Sequence, residues 1–218
     1  MKKIVTLGVA LATVLGTVAS CDKVKDATSA IQSVAEGVKE IDYQFLSNPE
    51  EVNKWLDEVR AKAGDNAKVM DEVGFTIHRP SMEGTIKREG EKDYLFANIV
   101  YQDPTDKRRV EEINYHGNIS GWTQPEKKEI QVMGIGAENF RLEDELFDFN
   151  QVSNETINKV IKDAFAKHKD EAKYEYQYVK GFEVSIKGIE VTIHGKIQAN
   201  GVEKSQYYKA DLQGNAKK

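Results

Sequence analysis

The sequence predicts an α+β fold: two tandem repeats, each a helix packed on an antiparallel β-sheet, preceded by a signal peptide and a helical tether. Three observations carry this expectation. Two capped, amphipathic helix signatures align without gaps at an offset of 105 residues. Each is followed by runs that alternate apolar and polar residues. An apolar N-terminal stretch behind two lysines precedes them both. The divisions read from these features are 1–20 (signal peptide), 21–46 (tether), 47–133 (first repeat), 134–151 (acidic connector) and 152–218 (second repeat).

Lys2 and Lys3 form a short positive region, Ile4 to Ala19 is an uncharged stretch of 16 residues, and small residues lead into Cys21. This is the three-part layout of a secretory signal peptide. It is short for a permanent membrane span, which needs ~20 apolar residues. Val18-Ala19-Ser20-Cys21 resembles the lipobox of bacterial lipoprotein precursors, with an aliphatic and two small residues before the modified cysteine. The resemblance covers the first 21 residues. It implies a diacylglyceryl group on the Cys21 thiol, cleavage between Ser20 and Cys21 and, in many bacteria, acylation of the new amino group. A buried methylene contributes ~0.8 kcal/mol and one chain binds only marginally, so two or three chains of the palmitate type make a firm anchor. Cys21 is thus expected to be a lipid attachment point. The body is then expected outside the cytoplasm, in the cell envelope, in the periplasm or at the cell surface. Asp22 resembles the inner-membrane retention signal of enteric lipoproteins. With one cysteine in the chain no internal disulfide forms, so the body is held by its core alone.

Between residues 22 and 46, Val24, Ala27, Ile31, Val34, Val38, Ile41 and Phe45 are spaced as an apolar helical stripe. Small Ala27 and the interrupting Gly37 weaken a coiled-coil reading. The expectation is a helix that packs on the body or a loosely ordered spacer. Self-association and a position along the membrane surface are the alternatives.

The first body helix begins at Ser47-Asn48, with Pro49 at its first position, Glu51 completing a capping-box pattern and Gly64 as its stop. The second begins at Ser153-Asn154 and ends near Lys167, His168 and Lys169, where positive charge suits the helix dipole. Asn53 and Asn158 are counterparts in the gapless alignment, and Gly74-Phe75 matches Gly181-Phe182 downstream. An internal duplication follows. Strands are expected near 73–79, 82–88, 93–102, 108–116 and 128–133, then near 173–179, 181–187, 189–198 and 203–212. Gly90-Glu91, Asp103-Pro104-Thr105-Asp106, Gly117-Asn118 and Asn200-Gly201 are the expected turns. By element order the body resembles the duplicated helix-plus-four-strand repeats of the β-lactamase-inhibitor-protein and PepSY groups, and also cystatin-like modules. No functional residue carries across on that resemblance. In the connector, Phe140, Leu142, Leu146, Phe147 and Phe149 interleave with acids and are expected to dock it.

Chemistry is sparse. The net charge of −5 opposes a phosphate backbone, and Lys107-Arg108-Arg109 follows two aspartates as a solvated turn, so no nucleic-acid partner is expected. No metal motif, phosphate-cradling loop or nucleophile elbow occurs, so no metal and no cofactor are expected, and the chain is read as not an enzyme. His78 and His194 follow Thr-Ile and should face away from the core, at the surface. Tyr174, Tyr176 and Tyr178 alternate along one strand, either covering the core or forming a half-exposed platform for a partner, and Trp122, read as a loop residue, is a further candidate contact. The expected function is a membrane-anchored, non-catalytic binding or scaffolding module for an envelope protein or glycan. A carrier of a lipid or other apolar ligand is the alternative, and an envelope enzyme ranks below both.

Overall fold

The computed structural model describes residues 44–64, 67–78, 93–117, 121–132 and 137–217. Cys21, the signal peptide, residues 22–43, the expected strand at 82–88 and the Gly90-Glu91 turn lie outside the described residues.

Both helices form where their caps predict. Helix α1 spans Pro49–Ala63, with the Asn48 side chain accepting from the Glu50 amide at 3.0 Å. Gly64 closes it at φ +92°, a left-handed conformation that glycine adopts without penalty. Helix α2 spans Asn154–His168, and the Ser153 hydroxyl accepts from the Thr156 amide at 3.1 Å. Val52, Leu56 and Val59 of α1 and Ile157, Val160, Ile161 and Ala164 of α2 are buried, as their spacing requires.

The strands are β1 (Lys68–His78), β2 (Tyr94–Gln102), β3 (Val110–His116), β4 (Gly121–Trp122), β5 (Glu126–Lys128), β6 (Leu146–Asp148), β7 (Tyr174–Ser185), β8 (Gly188–Ile197) and β9 (Glu203–Ala210). They form one antiparallel sheet in the order β4-β3-β2-β1-β7-β8-β9, with β5 added on β3 and β6 on β1. This corrects the expectation of two tandem helix-on-sheet repeats: among the described residues there is a single sheet of nine strands, and α1 and α2 both pack on the same side of it.

The physical reason for the merger lies at the join. In two separate sheets β1 and β7 would each expose a row of unpaired backbone groups. Instead they pair with each other, from Glu72↔Ser185 to Thr76↔Gly181. Phe75 and Phe182 stand opposite, their rings stacked at 4.9 Å. A side chain at Gly181 would come within 2.6 Å of the Phe75 carbonyl oxygen, so the join needs glycine there. The helices also meet: Asn158 Nδ2 donates to Asn53 Oδ1 at 2.7 Å, joining the two aligned asparagines.

Other expectations are refined. The segments 173–179 and 181–187 are one strand, β7, with register shifts near Tyr174 and Val179. Of 128–133, only Lys128 belongs to a described strand. Of the five connector residues expected to dock, three are buried, while Phe140 and Leu146 are half-buried. Leu142, Phe147 and Phe149 are buried, and β6 continues the sheet along Lys68–Met70, past the end of β7. Arg60 locks it to both helices, donating to the Val152 carbonyl at 2.8 Å, hydrogen-bonding Asn154 Oδ1 and lying 4.6 Å from the Phe149 ring centre. In the Asp103 turn, Oδ1 accepts from the Thr105 amide and hydroxyl, and Lys127 reaches Oδ2 at 2.9 Å. These donors, the Thr105 hydroxyl first, hold the Asp103 carboxyl well below the usual carboxylate range. Asp106 pairs with both Arg108, at 3.0 Å, and Arg109, at 3.6 Å, so two of the three cations of the cluster share a carboxylate within their own turn.

Candidate functional site

The sheet registers sort its side chains onto two faces. Val73, Phe75 and Ile77 of β1, Leu95, Ala97 and Ile99 of β2, and Ile189, Val191 and Ile193 of β8 face the helices and are buried. The alternate residues form the face that neither helix covers, and there the polar chemistry collects.

Three cross-strand rows cross that second face. The middle row runs Asn114, Asn98, Gly74, Glu183, Glu190, Lys209. Asn98 donates to Asn114 at 3.1 Å and to Glu112 at 3.2 Å. Glu183 stands directly opposite Glu190, an unfavourable like-charge pair. Lys209 relieves it through Glu190 at 2.8 Å. Glu72 adds another carboxyl, which reaches into the space that Gly74 leaves: a side chain at Gly74 would meet Glu72 Oε1 at 3.6 Å and Glu183 Cγ at 3.9 Å. Burial first, then the charge of Glu183 and a hydrogen bond to it, pushes the Glu72 carboxyl up to about 7. Asp71, at φ +60°, occupies the irregularity where β1 passes from β7 to β6. The acids edge an open pocket of about 500 Å³, with Glu145 on its wall and Lys187 and Lys217 at its rim. Sequence reading missed this convergence. Its one visible signal was the run Asp71-Glu72 just before Gly74.

A second row holds His116, Phe96, Thr76, Gly181, Thr192 and Tyr207. Phe96 packs edge-on against His116 at 5.0 Å and against His78 at 5.5 Å, while His78 stacks on Tyr94 at 5.3 Å. Tyr207 is 59% exposed.

The third row brings Tyr178, His194 and Ser205 together. His194 Nδ1 lies 3.0 Å from Ser205 Oγ, its Nε2 lies 3.6 Å from Glu203 Oε2, and the Tyr176 hydroxyl donates to Glu203 at 2.7 Å. Serine, histidine and glutamate occur here in relay order. The contacts fix the imidazole in the sheet.

The residues singled out from sequence divide accordingly. His78 and His194 lie on the helix-free face as alternation requires, but His194 is only 5% exposed and is not a surface histidine. Tyr178 is fully buried and Tyr174 is 4% exposed, so the three rings of that strand do not make one open platform, and Tyr176 alone is half-buried. Trp122 is in β4 rather than a loop. It packs with Trp55 and Tyr115, and its Nε1 donates to Glu58 at 2.6 Å under α1. Among the described residues no group of three or more histidine or acidic side chains has the geometry to hold a metal ion. No described helix is long and apolar enough to cross a membrane. Comparison with protein-family models, with curated proteins and with solved structures finds no match for this chain.

Proposed function

We propose that this chain is an exported lipoprotein of the bacterial cell envelope, anchored through acyl chains on Cys21. Its non-catalytic body binds a protein or glycan partner through the helix-free face of the sheet. The observation that carries this reading is Val18-Ala19-Ser20-Cys21 behind an uncharged stretch and two lysines. The two-faced sheet supports the second half. One face is closed by α1 and α2, and the other offers histidine, aromatic and carboxylate groups, with Tyr207 at its open side. Such mixed aromatic and polar surfaces suit recognition better than a uniformly charged one.

The carrier alternative finds less support. Leu56, Val59, Phe75, Phe182 and Ile193 fill the space between helices and sheet, where an enclosed ligand would have to sit. One observation does favour acid–base chemistry, the proton-holding Glu72 beside Glu183. Two carboxyls in direct hydrogen-bond contact leave no room between them for a glycosidic oxygen, which needs a separation of ~5 Å or more. We therefore read the pair as part of a binding face.

The test is a photo-crosslinking amino acid placed at Tyr207 or Thr192 in the native host, with Lys62 on α1 as control. The reading expects a discrete adduct from the first two positions, lost from membranes when Cys21→Ser releases the protein. Adducts from all three positions alike, or from none, would count against it.

A further inference from the structure

We propose that two copies of this chain join edge to edge, the outer side of β9 in one pairing antiparallel with the outer side of β9 in the other, centred on Ser205. This goes beyond the binding reading above and does not rest on it.

The two edges of the sheet differ. At one, β3 is covered by β4 and β5, strands of two and three residues that leave little regular edge to extend. At the other, β9 keeps an unbroken register with β8 from Glu203 to Ala210 and holds no proline. Lys217 shows which backbone groups of β9 look outward. Its amide donates to the Lys209 carbonyl at 2.8 Å, and Ala216 bridges Ala210 antiparallel. Outward groups recur at every second residue of an antiparallel strand. The amides and carbonyls of Glu203, Ser205 and Tyr207 therefore face outward too, and among the described residues no backbone group pairs with them. The tail already adds to this edge in the antiparallel sense, and the proposed pairing continues along it.

A second copy fits the open stretch because the stretch is complementary to itself. Paired about Ser205, the strands set Ser205 against Ser205, Glu203 against Tyr207, and Lys204 against Gln206. Every outward group of Glu203, Ser205 and Tyr207 then finds a partner, and the bond from Lys217 to Lys209 stays in place. A pairing centred on Gln206 would instead bring Glu203 onto Lys209, where Lys217 already sits. No like charges stand opposite one another, a placement that costs stability. The charges of Glu203 and Lys204 cancel over 203–207, although the chain carries −5 overall. Tyr207, 59% exposed, comes to lie beside the second copy's Glu203, which accepts from Tyr176 of that copy at 2.7 Å. Ser205 and Tyr207 stand opposite His194 and Thr192 on the helix-free face, so pairing makes the helix-free faces of two copies one continuous surface. A contact of 203–207 on each side is smaller than the ~800 Å² per partner of a standard interface, so the pair is weak and reversible.

The test uses the chain from residue 21 with Cys21→Ser. Between about 20 μM and about 1 mM, sedimentation should move from one copy towards two. Over the same range, amide exchange at Ser205 and Tyr207 should slow about fivefold, while exchange at Val191, inside the sheet, stays the same. Ser205→Pro removes an outward amide and spares the bonds to β8, so it should remain folded and stay monomeric at the higher concentration. Lys204→Cys and Gln206→Cys chains, each with a single thiol, should link about tenfold faster when mixed than either does alone. A chain that stays monomeric at about 1 mM would overturn the proposal. So would self-association that leaves exchange at Ser205 and Tyr207 unchanged, a folded Ser205→Pro that pairs as well as its parent, or equal linking rates in mixed and unmixed chains. If the proline unfolds the edge, the exchange of the unsubstituted strand still decides.

Discussion

The two faces of the one sheet have opposite characters, although both are built from the same alternating strands. The face under α1 and α2 is a continuous apolar layer in which Phe75 and Phe182 stack across the join. The other face carries Glu72, Glu183, Glu190, His78, His116 and His194, and its polar groups spend their bonds on one another. Apolar packing and polar contacts are thus segregated onto opposite sides of the sheet. The fold rests on the covered face, and the uncovered one tolerates like-charge neighbours that a purely structural surface would avoid.

The largest expected effect breaks the covered face. Phe182→Ala removes a ring from the layer at the β1–β7 join and should cost ~3–5 kcal/mol. On the opposite face Thr192→Ala, half-buried, should cost less than about 0.5 kcal/mol. Denaturant unfolding of the two variants measures the contrast, and similar losses would dissolve it. A smaller effect is expected where α1, α2 and the connector meet. Arg60→Met keeps an aliphatic stem over Phe149 but loses the bonds to Val152 and Asn154, a cost of ~1–3 kcal/mol. Burial lowers the Arg60 pKa because it strips solvent from the cation, against the opposing pull of the Asp57 and Glu155 carboxylates.

The smallest effect sharpens the comparison through pH. The Glu72 carboxyl titrates near 7 in the folded protein, above its ordinary value of about 4.5, so the folded state holds a proton that the unfolded chain releases. This contribution is fully present below about pH 4.5 and is lost as pH rises through about 7. With solvent screening of a half-exposed pair, it amounts to on the order of 1 kcal/mol. Glu72→Gln should therefore raise the melting temperature at pH 8 and leave it nearly unchanged at pH 4.5. An equal change at both values would show that the Glu72–Glu183 contact does not hold the proton.

Much of the fold was legible in local signals. Asn48, Pro49, Gly64 and Ser153 mark helix ends, and period-2 runs mark β2, β3, β8 and β9. Asn200-Gly201 marks the β8–β9 hairpin, with Gly201 at φ +68°. The merger into one sheet was not legible, because the pairing of β1 with β7 joins residues more than a hundred positions apart and no local pattern encodes a partner. The same matched glycine–phenylalanine pairs that suggested separate repeats turned out to be the seam. The site was less legible still. Glu72, Glu183 and Glu190 come from three strands, and nothing in an acidic sequence distinguishes them from solvated carboxylates. The tyrosine alternation was visible, but the burial of Tyr174 and Tyr178 depends on the β7 register shifts near them, which alternation does not reveal.

The account turns most directly on residue 21. Protein taken from membranes of its native host, digested and weighed by mass spectrometry, should yield an N-terminal peptide that starts at Cys21 and carries the added mass of a diacylglyceryl group. A peptide containing a bare Cys21 thiol still joined to Ser20 would contradict both the anchor and the envelope address built on it.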